Sequence, residues 1–174
     1  HRCYWNVTVT GKNGETAASE PAFFVTGKLG TAWYANWITA EFIGTGKVAA
    51  DRENSALKAA YLRHEFKLSK SVKEAFLLIC GLGYFEAHLN GEKVGDDVLP
   101  TPFTRFDETV MYNTYDVKDM LSKENAIGVI IGNGWYNCFA DDPWNTKQAT
   151  WRHFPKMIAE LHVTYADGTE ETIC

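Results

Sequence analysis

Ala126-Ile127-Gly128-Val129-Ile130-Ile131 runs directly into Gly132-Asn133-Gly134-Trp135-Tyr136, and this junction decides what kind of fold the chain can adopt. An apolar, β-branched stretch of this length reads as a buried strand. Glycines on both sides of Asn133 let the backbone turn sharply where the strand ends. The next two residues set an indole and a phenol where the chain reaches the surface. Flat aromatic faces beside an amide at a strand end suit a sugar, which offers C–H faces and paired hydroxyls. The junction therefore points to a binding module more than to a catalyst.

Short strands recur on either side of it, separated by turns. Tyr4–Thr10 alternates and then meets Gly11-Lys12-Asn13-Gly14, a hairpin turn, and Pro21–Val25 resumes as a strand. The aromatic-rich Trp33-Tyr34-Ala35-Asn36-Trp37-Ile38 follows. Gly44–Ala60 has glycines, small residues and mixed charge, and reads as a surface insertion with a helical turn or two over Glu53–Ala60. Beyond it, Leu62–Leu68 alternates, Ala75–Cys80 is an apolar run, and Tyr84–Leu89 alternates into the turn Asn90-Gly91-Glu92-Lys93. Asp116–Leu121 is the clearest helical piece, a single turn with Asp116 as its N-cap. Pro155–Val163, the turn Ala166-Asp167-Gly168 and Thr169–Cys174 read as a closing hairpin. Many short strands, frequent turns and almost no helix predict an all-β chain, a β-sandwich or jelly roll. Residues 1–30 are expected to be the last strands of a preceding small β-domain, and residues 31–174 the sandwich itself.

The totals bound the function classes. At 174 residues, with 45% apolar and 14% aromatic residues, the chain is long enough for one well-packed domain with a short appendage. Net charge is −5, and no Lys/Arg block interleaves with aromatics, which argues against a nucleic-acid surface. Nothing approaches the ~18 consecutive apolar residues of a membrane span. The chain opens inside what reads as a strand, without initiator Met or basic-then-apolar leader, so it is expected to be an excised segment whose compartment stays open. Cys3, Cys80, Cys138 and Cys174 are far apart and read as unpaired thiols.

Chemistry has few candidates. Asp96-Asp97, Asp141-Asp142 and Glu170-Glu171 are adjacent carboxylates, whereas glycoside hydrolysis needs two carboxyl groups facing each other across a bond. Neighbours on a strand point to opposite faces, so these pairs read as solvated turn charge. Calcium is a softer possibility, with oxygens from Asp96/Asp97 and Asp141/Asp142/Asn145, although neither group has a compact calcium-loop spacing. The histidines lack metal-ligand spacing, the serines lack a glycine-flanked elbow, and Gly81-Leu82-Gly83 reads as a bulge or tight approach between strands. Trp135, Tyr136, Phe139, Trp144 and Trp151 remain, crowded into an irregular stretch too aromatic to be disordered. Core packing is the plainer reading of any one of these rings, but the cluster favours a ligand surface.

The residues then resemble a known family. Gly83-Tyr84 through Asn90-Gly91 to Val94-Gly95-Asp96 and Pro100 is similar to the N-terminal β-domain of bacterial α-L-rhamnosidases. The likeness continues through Thr104, Tyr112–Val117, Leu121, Asn125–Gly128 and Gly132–Tyr136. Tyr4–Val7, Phe24–Gly27 and Trp37-Ile38 resemble the end of the fibronectin-like domain that precedes it. The resemblance implies a galactose-binding-like jelly roll that assists substrate recognition, with relatives that bind L-rhamnose through calcium. It also implies a partner in the same polypeptide, an (α/α)₆ barrel that cleaves α-L-rhamnosides with inversion and lies outside this segment. Asn90, Asn133, Trp135 and Tyr136 lie within matching motifs and Trp144 within the aromatic cluster. The expected site has Trp135 and Tyr136 stacking on a rhamnose-containing glycan while Asn90 and Asn133 donate hydrogen bonds. The rival is a spacer that packs against the barrel without binding sugar. A spacer predicts that Trp135 and Trp144 are buried or lie under a domain interface, whereas a binder lines an open groove with them, beside free amide and carboxylate groups.

Overall fold

Alternating residues build strands along most of the chain, as a computed structural model covering residues 2–40, 58–138 and 143–174 describes. Two compact units divide it, His1–Trp33 and Tyr34–Cys174.

The first unit holds β1 (Arg2–Trp5), β2 (Thr8–Thr10), β3 (Thr16–Ala18) and β4 (Ala22–Val25). β2 and β3 form the hairpin expected around Gly11–Gly14, with Thr10 opposite Thr16. The Tyr4–Thr10 run, expected as one strand, is broken at Asn6-Val7, and its first half pairs antiparallel with β4.

The second unit is an all-β sandwich of two four-stranded antiparallel sheets. Its strands are β5 (Ala60–Lys67), β6 (Val72–Leu82), β7 (Phe85–Leu89), β8 (Glu92–Lys93), β9 (Asn113–Asp116), β10 (Glu124–Ile131), β11 (Lys156–Tyr165) and β12 (Glu170–Ile173). One sheet runs β5-β10-β7-β8 and the other β12-β11-β6-β9, so the chain crosses repeatedly between sheets as in a jelly roll. Alternate residues of both sheets meet in the core: Ala75, Leu77 and Ile79 of β6, Met157, Leu161 and Val163 of β11, Phe85, Ala87 and Leu89 of β7, Val129 and Ile131 of β10. Leu78, Cys80 and Leu82 on the intervening positions of β6 are buried as well, which explains why this strand is apolar without alternation.

Local chemistry sets the connections. Asn90 and Gly91 both have positive φ (54° and 89°), the backbone that a two-residue hairpin between β7 and β8 requires. The expected helical turn is a 3₁₀ turn over Lys118–Met120, with Val117 at its N-cap position. Asp116 lies one residue earlier, at the end of β9, and its carboxylate accepts the Lys118 N–H at 3.3 Å. The insertion expected over Gly44–Ala60 falls, up to residue 57, outside the described residues, and β5 begins at Ala60.

Glu160 is a feature that sequence reading passed over. This β11 side chain is fully buried (0% exposed), and its carboxylate accepts the backbone N–H groups of Tyr34 and Ala35, the latter at 3.1 Å. His162 Nε2 lies 2.8 Å from the other oxygen. A buried carboxylate is tolerated where hydrogen bonds surround it, and here it ties the start of the second unit to β11. Ile38 and Met157 then exchange backbone hydrogen bonds alongside the same strand.

Candidate functional site

β10 is hydrogen-bonded on both sides, to β5 and to β7, so its end is a fixed point of the sheet. There the Gly132 N–H donates to Tyr84 O at 2.8 Å. The approach is close enough that a Cβ on Gly83, whose φ is +117°, would stand 2.1 Å from Gly132 O. A Cβ on Gly134, at φ +50°, would stand 2.9 Å from Tyr84 N. Gly83 and Gly134 therefore lock the β6–β7 connection against the end of β10, the tight approach that Gly81-Leu82-Gly83 signals in sequence.

From this lock the chain enters one turn of irregular structure. The Asn137 N–H donates to Asn133 O at 3.1 Å, and Asn137 Nδ2 donates to Asn133 Oδ1 at 2.7 Å. Asn133 thus shapes the turn that aims Trp135. Trp135 is 37% exposed and Trp144 76% exposed. With Phe103 and Thr146 they line one open hollow of about 370 Å³. Phe103 itself, on the loop between β8 and β9, is 53% exposed.

A network of rings supports this surface from behind. Phe103 meets Trp135 edge to face, centroids 6.3 Å apart and planes at 77°. It also meets Phe106 at 5.6 Å and 84°, and Phe106 meets Tyr136 at 5.4 Å and 85°. Trp151 lies 4.9 Å from Phe106 and stacks at 18° on Tyr136. Edge-to-face contacts of this kind fix ring orientation beyond what burial alone supplies, about 0.5–1.5 kcal/mol per pair.

Two expected ligand residues do other work. Tyr136 is only 3% exposed, so its ring is a wall of the network and not a stacking surface. Asn90 donates both amide hydrogens internally, to Met120 O at 2.8 Å and to Asn125 Oδ1 at 2.9 Å. Its Oδ1 accepts the Ala126 N–H at 2.9 Å, so the side chain closes a turn and has no hydrogen left to donate to a sugar. Phe103 and Thr146 were not legible as site residues. The one signal for Phe103 is two phenylalanines four residues apart, counted inclusively, in a loop that also holds Pro102.

Calcium does not fit the Asp96-Asp97 turn. Asp97 Oδ2 accepts the Tyr115 hydroxyl at 2.7 Å and Asn113 Nδ2 at 3.3 Å, while the Lys93 ammonium sits 3.0 Å from the Asp97 carbonyl. A cation would meet a positive charge there, and no three His, Cys, Asp or Glu side chains converge among the described residues. Burial and the Asp97 carboxylate push the Tyr115 phenol well above its ordinary range. Asp141, Asp142 and Phe139 lie outside the described residues. A larger hollow of about 440 Å³ is lined by core and core-flanking side chains, Leu62, Phe66, Val129 and Leu161 among them, together with Tyr34, Asn36, Arg63 and His64.

Residues 70–174, more than half of the chain, match the family described as α-L-rhamnosidase N-terminal domain. The chain belongs to this family. Among curated relatives, an α-L-rhamnosidase of Formosa agariphila is 37% identical over 187 residues, covering 97% of this chain and 20% of the relative. Among solved structures, native α-L-rhamnosidase from Aspergillus terreus superposes with a TM-score of 0.82 at 27% identity, covering 99% of this chain and 20% of that one. Streptomyces avermitilis α-L-rhamnosidase complexed with L-rhamnose gives 0.59 at 31% identity, covering 95% of this chain and 17% of that one. The chain thus spans about a fifth of the length of these relatives. As an N-terminal domain of α-L-rhamnosidase type, it sets the lock at Gly83 and Gly132–Gly134 and the ring network around Tyr136 inside the matched region.

Proposed function

We propose that the chain is a non-catalytic carbohydrate-recognition module of an α-L-rhamnosidase-like glycoside hydrolase, and that it holds rhamnose-containing glycan near a catalytic domain of the same polypeptide. One observation carries this reading: Trp135 and Trp144 stand exposed around an open hollow instead of lying in the core. Two indoles and a phenyl ring exposed together around one hollow form a contiguous apolar patch, the kind that marks an interaction surface. A deoxyhexose presents C–H faces that pack on indole, and the edge-to-face contact with Phe103 lowers the entropy cost of ordering Trp135 on binding. The relatives of known name are α-L-rhamnosidases, and one was crystallised with L-rhamnose, which supports rhamnose over other sugars.

A second reading draws on a different observation. Val98 (83% exposed), Leu99 and Met111 add apolar surface on the β8–β9 loop that also carries Phe103. An apolar patch of this kind suits a domain interface, and the relatives are about five times as long as this chain. Affinity electrophoresis separates the two. The module reading expects the chain to be retarded in a gel containing a rhamnose-rich polysaccharide, and Trp135→Ala to run unretarded. Equal mobility of both proteins with and without the polysaccharide favours the interface.

A further inference from the structure

We infer that the outer face of the β5-β10-β7-β8 sheet carries a second glycan subsite, a shallow trough along β10 that takes a short stretch of neutral oligosaccharide. It rests on the carbohydrate reading above but shares no residue with the aromatic hollow. Gly128 marks it. Within the Asn125–Gly128 motif, Asn125 is accounted for by its bonds to Asn90 and Ser122, and Gly128 is not. Its φ lies outside the left-handed region, and a Cβ there would meet nothing within 4 Å among the described residues. Glycine in mid-strand weakens the strand, so its use where a side chain has room needs a cause outside the sheet. One such cause is the close approach of a ligand to the backbone.

Strand register fixes what surrounds this position. Gly128 lies opposite Arg63 of β5 on one side and His88 of β7 on the other, and His88 lies opposite Lys93 of β8. Directly paired residues share a face, so these side chains stand together, on the side away from Val129 and Ile131 in the core. Half-buried Ala126, Gly128 and Ile130 form the floor, a row of about 14 Å at strand rise and longer than one pyranose ring. The walls are charged. Arg63 pairs with Glu65, while His88 Nε2 lies 3.4 Å from Glu86 Oε1 and Lys93 Nζ 3.5 Å from Glu86 Oε2. These side chains are 34–66% exposed. Paired carboxylate oxygens and the guanidinium fork match neighbouring hydroxyls, and exposed ion pairs are weak enough for a ligand to replace one partner. Arg63 and Lys93 balance Glu65 and Glu86, so the trough suits a neutral ligand better than an acidic one. The centre of a domain interface is depleted of charge, whereas charge walls the centre of this face.

The test is titration of the ¹⁵N-labelled 174-residue chain with a neutral rhamnan trisaccharide, followed at the backbone amides of Gly128 and His88 and at the Trp135 indole. Saturable shifts at Gly128 and His88 are expected. Gly128→Val fills the trough with a side chain that meets no neighbour. Its urea midpoint is expected to stay level or rise, while the Kd read at His88 rises at least tenfold. Glu86→Gln keeps the shape of the wall and removes its charge, and a rise in Kd of at least threefold is expected. Trigalacturonate, an acidic trisaccharide, is expected to bind at least tenfold more weakly than the neutral one. Shifts at Trp135 alone would overturn the trough and leave the reading of the hollow intact. Shifts at Gly128 and His88 without Trp135 would support the trough and overturn that reading of the hollow. An unchanged Kd in either folded variant overturns the placement, and trigalacturonate binding as tightly as the neutral sugar overturns the choice of ligand. No shift at any of the three positions overturns both readings.

Discussion

Neighbouring aromatic residues in this chain have opposite duties, and stability measurements can separate them. Tyr136 touches Phe106 and Trp151 and is almost fully buried. Tyr136→Ala is expected to cost about 3–5 kcal/mol in urea unfolding, the usual range for emptying a large aromatic site. Trp144 is largely exposed. Trp144→Ala is expected to change stability by less than about 0.5 kcal/mol, because substitutions at highly exposed positions rarely do more. Asn90 illustrates the same division among amides. Asn90→Ala removes three internal hydrogen bonds and a side chain that tolerates positive φ, so a loss of about 1–3 kcal/mol is expected, with sugar affinity unchanged. Urea unfolding of the three variants, alongside a rhamnoside titration of Asn90→Ala, checks these expectations. At this scale the sequence is legible only in part. Residue type places Trp135, Tyr136 and Asn90 in the right loops, but whether a ring faces solvent depends on Phe103 and Phe106, more than 25 residues away in the chain. Local pattern contains no record of such contacts.

Strands and their connections were far easier to read, because alternation and turn chemistry are local. β5, β6, β7, β10, β11 and β12 all lie where alternation or apolar runs predict them. The break at Asn6-Val7 and the shortened 3₁₀ turn after Asp116 escaped, since strand partners and not propensity decide them. Gly83→Ala tests the connection that positions the site. With Gly132 O only 2.1 Å from the new Cβ and φ at +117°, β7 and β10 must part at their ends. The variant is expected to lose at least ~2 kcal/mol of stability and to shift the Trp135 indole resonance, as measured by urea unfolding and NMR.

The β6–β11 pair also sets an alkaline limit. Burial pushes the Cys80 thiol on β6 from its ordinary 9.0 up to about 12. On β11, burial first and then the hydrogen bond to Glu171 push the Tyr165 phenol from 10.0 up to about 12. Both groups bind their proton more tightly folded than unfolded. Their contribution is therefore complete below about pH 9 and is lost as pH rises through about 12. The urea midpoint is expected to fall steeply between those limits, and Tyr165→Phe to make the fall shallower.

Across the whole molecule, each unit has its own pattern of exposed apolar residues. In the first, Tyr4, Trp5, Phe23 and Phe24 are half-exposed on a two-stranded ribbon. A ribbon of that size is marginal alone. In the second, the sandwich is a rigid frame that presents one aromatic hollow at the end of its inner strand β10. Membership of the α-L-rhamnosidase N-terminal domain family gives this frame its context. The central claim is that the rings of that hollow receive a rhamnoside. The most direct test is to follow the six indole N–H resonances of the ¹⁵N-labelled chain during titration with L-rhamnose up to tens of millimolar. A Kd near 1 mM corresponds to only about −4 kcal/mol, so this range captures weak binding. The account predicts saturable shifts confined to Trp135 and Trp144. Six indole signals that stay unmoved at saturating sugar, or shifts at Trp5 or Trp37 alone, would contradict it.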